Sequence, residues 1–124
     1  MSPVFVRLVH APSLPLQQAA LDRWLSDARI GAADERQRAL VVEGPSFALQ
    51  VPETLAVQRL AAGCVCCVGQ VPLRVALTRS LRGMAADQPR AVLLLIAQGE
   101  HLPRLAAQIE RGELGQGITM EQAV

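Results

Sequence analysis

Residues 91–96 read AVLLLI, an unbroken apolar run. Side chains of a strand point alternately to its two faces, so a strand with no polar position must be covered on both. The run is too short for a typical buried helix and suits a central strand. Sheets covered on both faces are nearly always parallel, with helices packed above and below. This segment therefore predicts an α/β fold with three layers and a mostly parallel sheet.

The flanking pattern agrees. Val4 to His10 (VFVRLVH) reads as a first strand, mostly buried. Ala11 to Leu14 is a loop, and Pro15 stands near the start of a helix, where its missing N–H costs little. Leu21, Trp24, Leu25 and Ala28 recur at helical spacing and should face the sheet. Ala39 to Glu43 (ALVVE) reads as a second strand, stopped by Gly44-Pro45. Phe47 to Val51 is a candidate short edge strand and Val57 to Leu60 a further strand. Pro72 opens a helix whose apolar stripe is Leu73, Ala76, Leu77, Leu81 and Met84, with Arg74, Thr78 and Arg82 on another face. Leu102, Leu105, Ala106 and Ile109 mark a last helix, and the tail from Gly115 to Val124 is a candidate for one more short strand. No repeat or long linker divides residues 1–124, so one domain is expected.

Composition narrows the chemistry. Of 124 residues, 51% are apolar and only 2% aromatic, so the core must be built from Leu, Val and Ala. The formal charge of +1 gives no footprint for nucleic acid or a membrane surface. No apolar run approaches the roughly 20 residues of a membrane helix, and no signal peptide is legible. A cytoplasmic protein is expected, with reduced thiols. Lys, Asn and Tyr are absent, and all 12 basic residues other than His are Arg. Any mechanism that needs a lysine is excluded.

Cys64-Val65-Cys66-Cys67 is the strongest chemical signal. Thiolates bind soft and borderline cations such as Zn²⁺ and Cu(I). Gly63 and Gly69 flank the run and would let the backbone bend so that all three thiolates meet one ion. A trigonal three-thiolate site suits Cu(I), whereas zinc needs a fourth ligand. Glu43, His10 and His101 are the candidates, along with water, because each falls just after a strand. In parallel α/β sheets ligands bind outside the carboxyl ends of the strands. Buried thiols without a ligand role, or a redox pair, are the competing readings.

At Gly63-Cys64-Val65-Cys66-Cys67 the sequence resembles the CobW family of metal-handling GTPases, which carry a G-C-x-C-C motif between a strand and a helix. Val41-Val42-Glu43-Gly44 falls where the family has a strand ending in Asn-Glu. Leu94 to Gly99 falls where it has a strand ending in Glu-Thr-x-Gly. The resemblance spans residues 4–111 and implies a P-loop-NTPase-like fold, truncated before the family's C-terminal domain. The phosphate loop departs from the family pattern. Its counterpart, Ala11-Pro12-Ser13-Leu14-Pro15-Leu16-Gln17-Gln18, has no glycine. Gln17 stands in the position of the phosphate-binding lysine and Gln18 in that of the Mg²⁺ ligand. The guanine-reading Asn-Lys-x-Asp motif cannot exist here.

The expectation is a non-catalytic, metal-binding pseudo-GTPase domain that takes Zn²⁺ or Cu(I) and no GTP, as a metallochaperone, buffer or sensor. An interaction subunit that pairs with a protein partner or with itself is the second reading, and a thiol-redox protein the third.

Overall fold

The computed structural model describes residues 4–27, 35–44, 48–60, 71–85, 87–97, 102–111 and 118–123. Five strands form one sheet: β1 (Val4–His10), β2 (Arg38–Glu43), β3 (Ala56–Leu60), β4 (Arg90–Ile96) and β5 (Ile118–Ala123). Their spatial order is β3-β2-β4-β1-β5, and every pairing is parallel. Three α-helices alternate with them: α1 (Leu14–Ser26), α2 (Val71–Arg82) and α3 (Leu102–Glu110). A 3₁₀ turn, Glu35–Gln37, leads into β2.

The AVLLLI segment is the middle strand, as its pattern requires. Ala91, Leu93 and Leu95 pack with Leu21 and Trp24 of α1 on one face. Val92, Leu94 and Ile96 pack with Leu73 and Leu77 of α2 and Leu105 and Ile109 of α3 on the other. The division of helices follows from connectivity. The chain moves from β1 past β4 to β2 and on to β3, then reverses to β4 and β5. Crossovers of a single hand must change face when the direction reverses. Hence α1 lies on one face, and α2 and α3 on the other.

Local signals explain the helix starts. Ser13 caps α1, its backbone extended and its hydroxyl accepting from the Leu16 N–H, and Pro15 sits in the first turn. The apolar stripe of α2 is buried as its spacing predicts, with Thr78 and Arg82 outside. Residues 48–51 do not form the short strand predicted there. Leu49 instead turns into the core beneath α1, and the backbone of Gln50 is held by Gln18. The tail does supply a strand, β5, paired to β1.

Among the described residues two charged side chains are buried, Arg7 and Glu43. Arg7 lies in mid-β1 and is almost wholly buried, and its guanidinium pairs with the Asp27 carboxylate beyond the end of α1. A buried arginine without its partner would cost several kcal/mol, so this pair fixes the end of α1 over β1.

Candidate functional site

The carboxyl ends of β1, β2 and β4 meet at Ala97, the residue after β4. Glu43 ends β2 and is fully buried, and its Oε1 accepts a hydrogen bond from the Ala97 N–H at 2.8 Å. His10 ends β1 and is exposed, with Nε2 3.2 Å from the Ala97 carbonyl oxygen. A carbonyl can only accept, so Nε2 carries the proton in this contact. In a neutral ring the lone pair is then on Nδ1. The chain bends at Ala97, and its N–H and C=O serve neighbouring strands on opposite sides. Two of the predicted site residues are thus brought to one backbone position.

The segment with the cysteines leaves the same edge. Glu43 is in register with Leu60, the last residue of β3, and the Gly44 N–H donates to the Leu60 carbonyl at 2.8 Å. Gly44 has φ of 92°, a left-handed conformation that suits glycine and turns the chain off the end of β2. Residues 61–70 begin there and end at α2. Glu43 is one strand from that point, about 5 Å, whereas His10 is three strands away, about 14 Å. Cys64, Cys66, Cys67 and His101 lie outside the described residues. Among the described residues no three potential metal-binding side chains come together. The described part of the donor set does suit a borderline cation. It offers a carboxylate oxygen and an imidazole nitrogen, both oriented by hydrogen bonds.

The side chains and amides of residues 11–18 are engaged in contacts of their own. Gln17 is buried, and its Nε2 donates to the Ala11 carbonyl at 3.3 Å. Gln18 turns to the backbone of Gln50, donating to its C=O at 3.1 Å and accepting from its N–H at 2.9 Å. The first turn of α1 offers few donors to an anion. Pro15 has no N–H, Leu16 N–H points at the Ser13 hydroxyl, and Gln17 N–H at the Ser13 carbonyl.

Sequence reasoning missed several contacts: the burial of Gln17, the convergence of Glu43 and His10 on one residue, and a second clamp at the far end of the sheet. There Gln37 accepts from the Ala85 N–H at 2.8 Å and donates to the Ala85 carbonyl at 2.9 Å. The only advance signal was that His10 and Glu43 each close a strand in a parallel sheet.

Compared with known proteins, the chain matches no family model, no curated protein and no solved structure. Among the described residues no helix is long and apolar enough to cross a membrane.

Proposed function

We propose that this chain is a non-catalytic metal-binding domain related to the CobW-type GTPases, which takes Zn²⁺ or Cu(I) at Cys64, Cys66 and Cys67 in a reducing cytoplasm. The observation that carries the reading is the buried Glu43 carboxylate at the end of β2, one strand from where the cysteine segment departs. Its Oε1 accepts from the Ala97 N–H, and a carboxylate oriented by such a hydrogen bond is a suitable cation ligand. Glu43 is the preferred fourth ligand for zinc. His10 and His101 remain second candidates.

The same edge supports the absence of nucleotide chemistry. Phosphoryl transfer depends on positioned positive charge and backbone donors around the phosphates. Gln17 and Gln18 supply no charge, and both point to backbone groups. No GTP binding is expected, and Mg²⁺-dependent binding at micromolar GTP would contradict this. Titration with Zn²⁺ under reducing conditions tests the metal reading. Wild type should saturate at one ion per chain, and the Cys66→Ser/Cys67→Ser variant should take up none. Equal uptake by both proteins would refute it.

A second reading, an interaction subunit, is favoured by one feature of α2. This helix carries three arginines and no acidic residue. Val75, Thr78, Arg79 and Arg82 line a shallow hollow of about 350 Å³ on its outer side. An acidic partner segment would suit that surface, whereas a second copy of α2 would be repelled. Loss of complex formation in an Arg79→Glu/Arg82→Glu variant would separate this reading from the first.

A further inference from the structure

We propose that the outer edge of β3 pairs with the same edge of a second copy of this chain, joining two five-stranded sheets about a twofold axis at Gln58. The proposal is independent of the metal reading and goes beyond the interaction reading by naming the partner.

β3 ends the sheet, and among the described strands it bonds to β2 alone. Its ladder shows which backbone groups are left over. Leu60 is level with Glu43, and its carbonyl accepts from the N–H of the next residue, Gly44. In a parallel ladder a residue whose C=O faces the neighbouring strand turns its N–H there too, and the next residue turns both away. Leu60, Gln58 and Ala56 therefore face β2, and Val57 and Arg59 turn their N–H and C=O outward.

These outward groups are self-complementary. In an antiparallel pair, opposed residues of one kind exchange both N–H···O=C bonds, and those between them face each other at closer range without such bonds. With a twofold axis at Gln58, Val57 meets Arg59 of the second copy and Arg59 meets Val57. All the outward donors and acceptors of these residues are then used. Gln58 meets Gln58, and an amide both donates and accepts. Arg59 is exposed and would repel a copy of itself, but in this register it faces an apolar side chain. A twofold contact of this kind also closes on itself and stops at two chains. The α2 helices, packed over β2 and β3, flank the axis and run in opposite directions, which sets Arg79 and Arg82 of the two copies at opposite ends.

The two sheet edges differ in a way that favours β3. β5 slips in register against β1 between Val6 and Arg7, with Glu121 as the extra residue. Such bulges discourage pairing at an edge. β3 keeps one register from Ala56 to Leu60. Val57 packs on the core beneath α1 and Leu60 on the core beneath α2, and both stay half-buried. Both apolar layers reach this edge unfinished.

The test is sedimentation velocity on the full chain under reducing conditions, from micromolar to millimolar concentration, with amide exchange followed by NMR. Wild type should pass from monomer to dimer. Exchange at the Val57 and Arg59 N–H groups should slow as the dimer forms, whereas the Gln58 N–H, already bonded to β2, should not change. Arg59→Pro removes one outward donor and leaves the β2 ladder intact, since proline is tolerated where the N–H of an edge strand faces solvent. It should remain monomeric over the same range, with the unfolding midpoint of dilute wild type. Should this variant not fold, the concentration dependence of exchange in wild type decides. Three results would overturn the proposal. A wild-type monomer throughout would leave the edge to a strand of a different protein. A dimer with Val57 and Arg59 exchanging as fast as in the monomer would be joined elsewhere, through thiols or a metal ion. A folded Arg59→Pro that still dimerises would not use this edge. Zinc uptake is measured separately, so none of these results touches the metal reading.

Discussion

At the amino end of the sheet Gln37 grips Ala85, and at the carboxyl end Glu43 and His10 share Ala97. In each place an alanine outside the helices and strands has both its N–H and its C=O bonded by side chains from elsewhere in the chain. The geometry is similar and the chemistry is not. Gln37 is nearly buried, neutral and sufficient alone. Its task ends with tying the start of β2 to the turn before β4. The other clamp places a carboxylate in the interior and an imidazole at the surface. The charged clamp lies at the carboxyl end, where parallel sheets generally hold their ligands.

Substitutions can break or sharpen the contrast. The largest effect is expected for Gln37→Ala, which strands the Ala85 N–H, leaves the Ala85 carbonyl only the Gln88 N–H, and removes the contact to the Pro89 carbonyl. It should cost about 2–3 kcal/mol in denaturant unfolding without changing zinc binding. Glu43→Ala leaves the Ala97 N–H without that acceptor and removes a buried charge. A smaller loss of about 1–2 kcal/mol is expected, together with loss of zinc affinity. If Gln37→Ala changed zinc binding as much as Glu43→Ala, the division between a structural and a functional end would fail. Gln18→Ala removes two hydrogen bonds to Gln50 in an exposed setting, and about 1 kcal/mol is expected. His10→Ala should be the mildest, within about 0.5 kcal/mol, since its contact is exposed to water. A large destabilisation there would mean that His10 is structural and would bring the two clamps closer in kind.

The fold was largely legible because periodicity and apolar runs report burial directly. AVLLLI could only be a central strand, and the stripes of α2 and α3 point inward as spacing predicts. The tail strand was legible only as a candidate, since its place beside β1 is set by pairing. The segment after β2 misled for a related reason. The run before Pro52 suits a short edge strand, but Leu49 and Val51 pack beneath α1 as irregular chain. The site was legible in part. Position after a strand marked His10 and Glu43, whereas their meeting at Ala97 depends on β4 lying between β1 and β2. Strand order is a long-range property that no local pattern contains. The glutamine contacts were hidden for the same reason. Gln17, Gln18 and Gln37 look like surface residues in sequence, and backbone groups as far as 52 residues away hold them. The Arg7–Asp27 pair is another case, since its partners are 20 residues apart and no local pattern joins them.

Metal content of the protein purified under reducing conditions, with a parallel count of free thiols, tests the central claim most directly. The account predicts about one zinc or copper per chain in wild type and none in the Cys66→Ser/Cys67→Ser variant. Three free thiols with no metal, and no uptake of added Zn²⁺ or Cu(I), would contradict it.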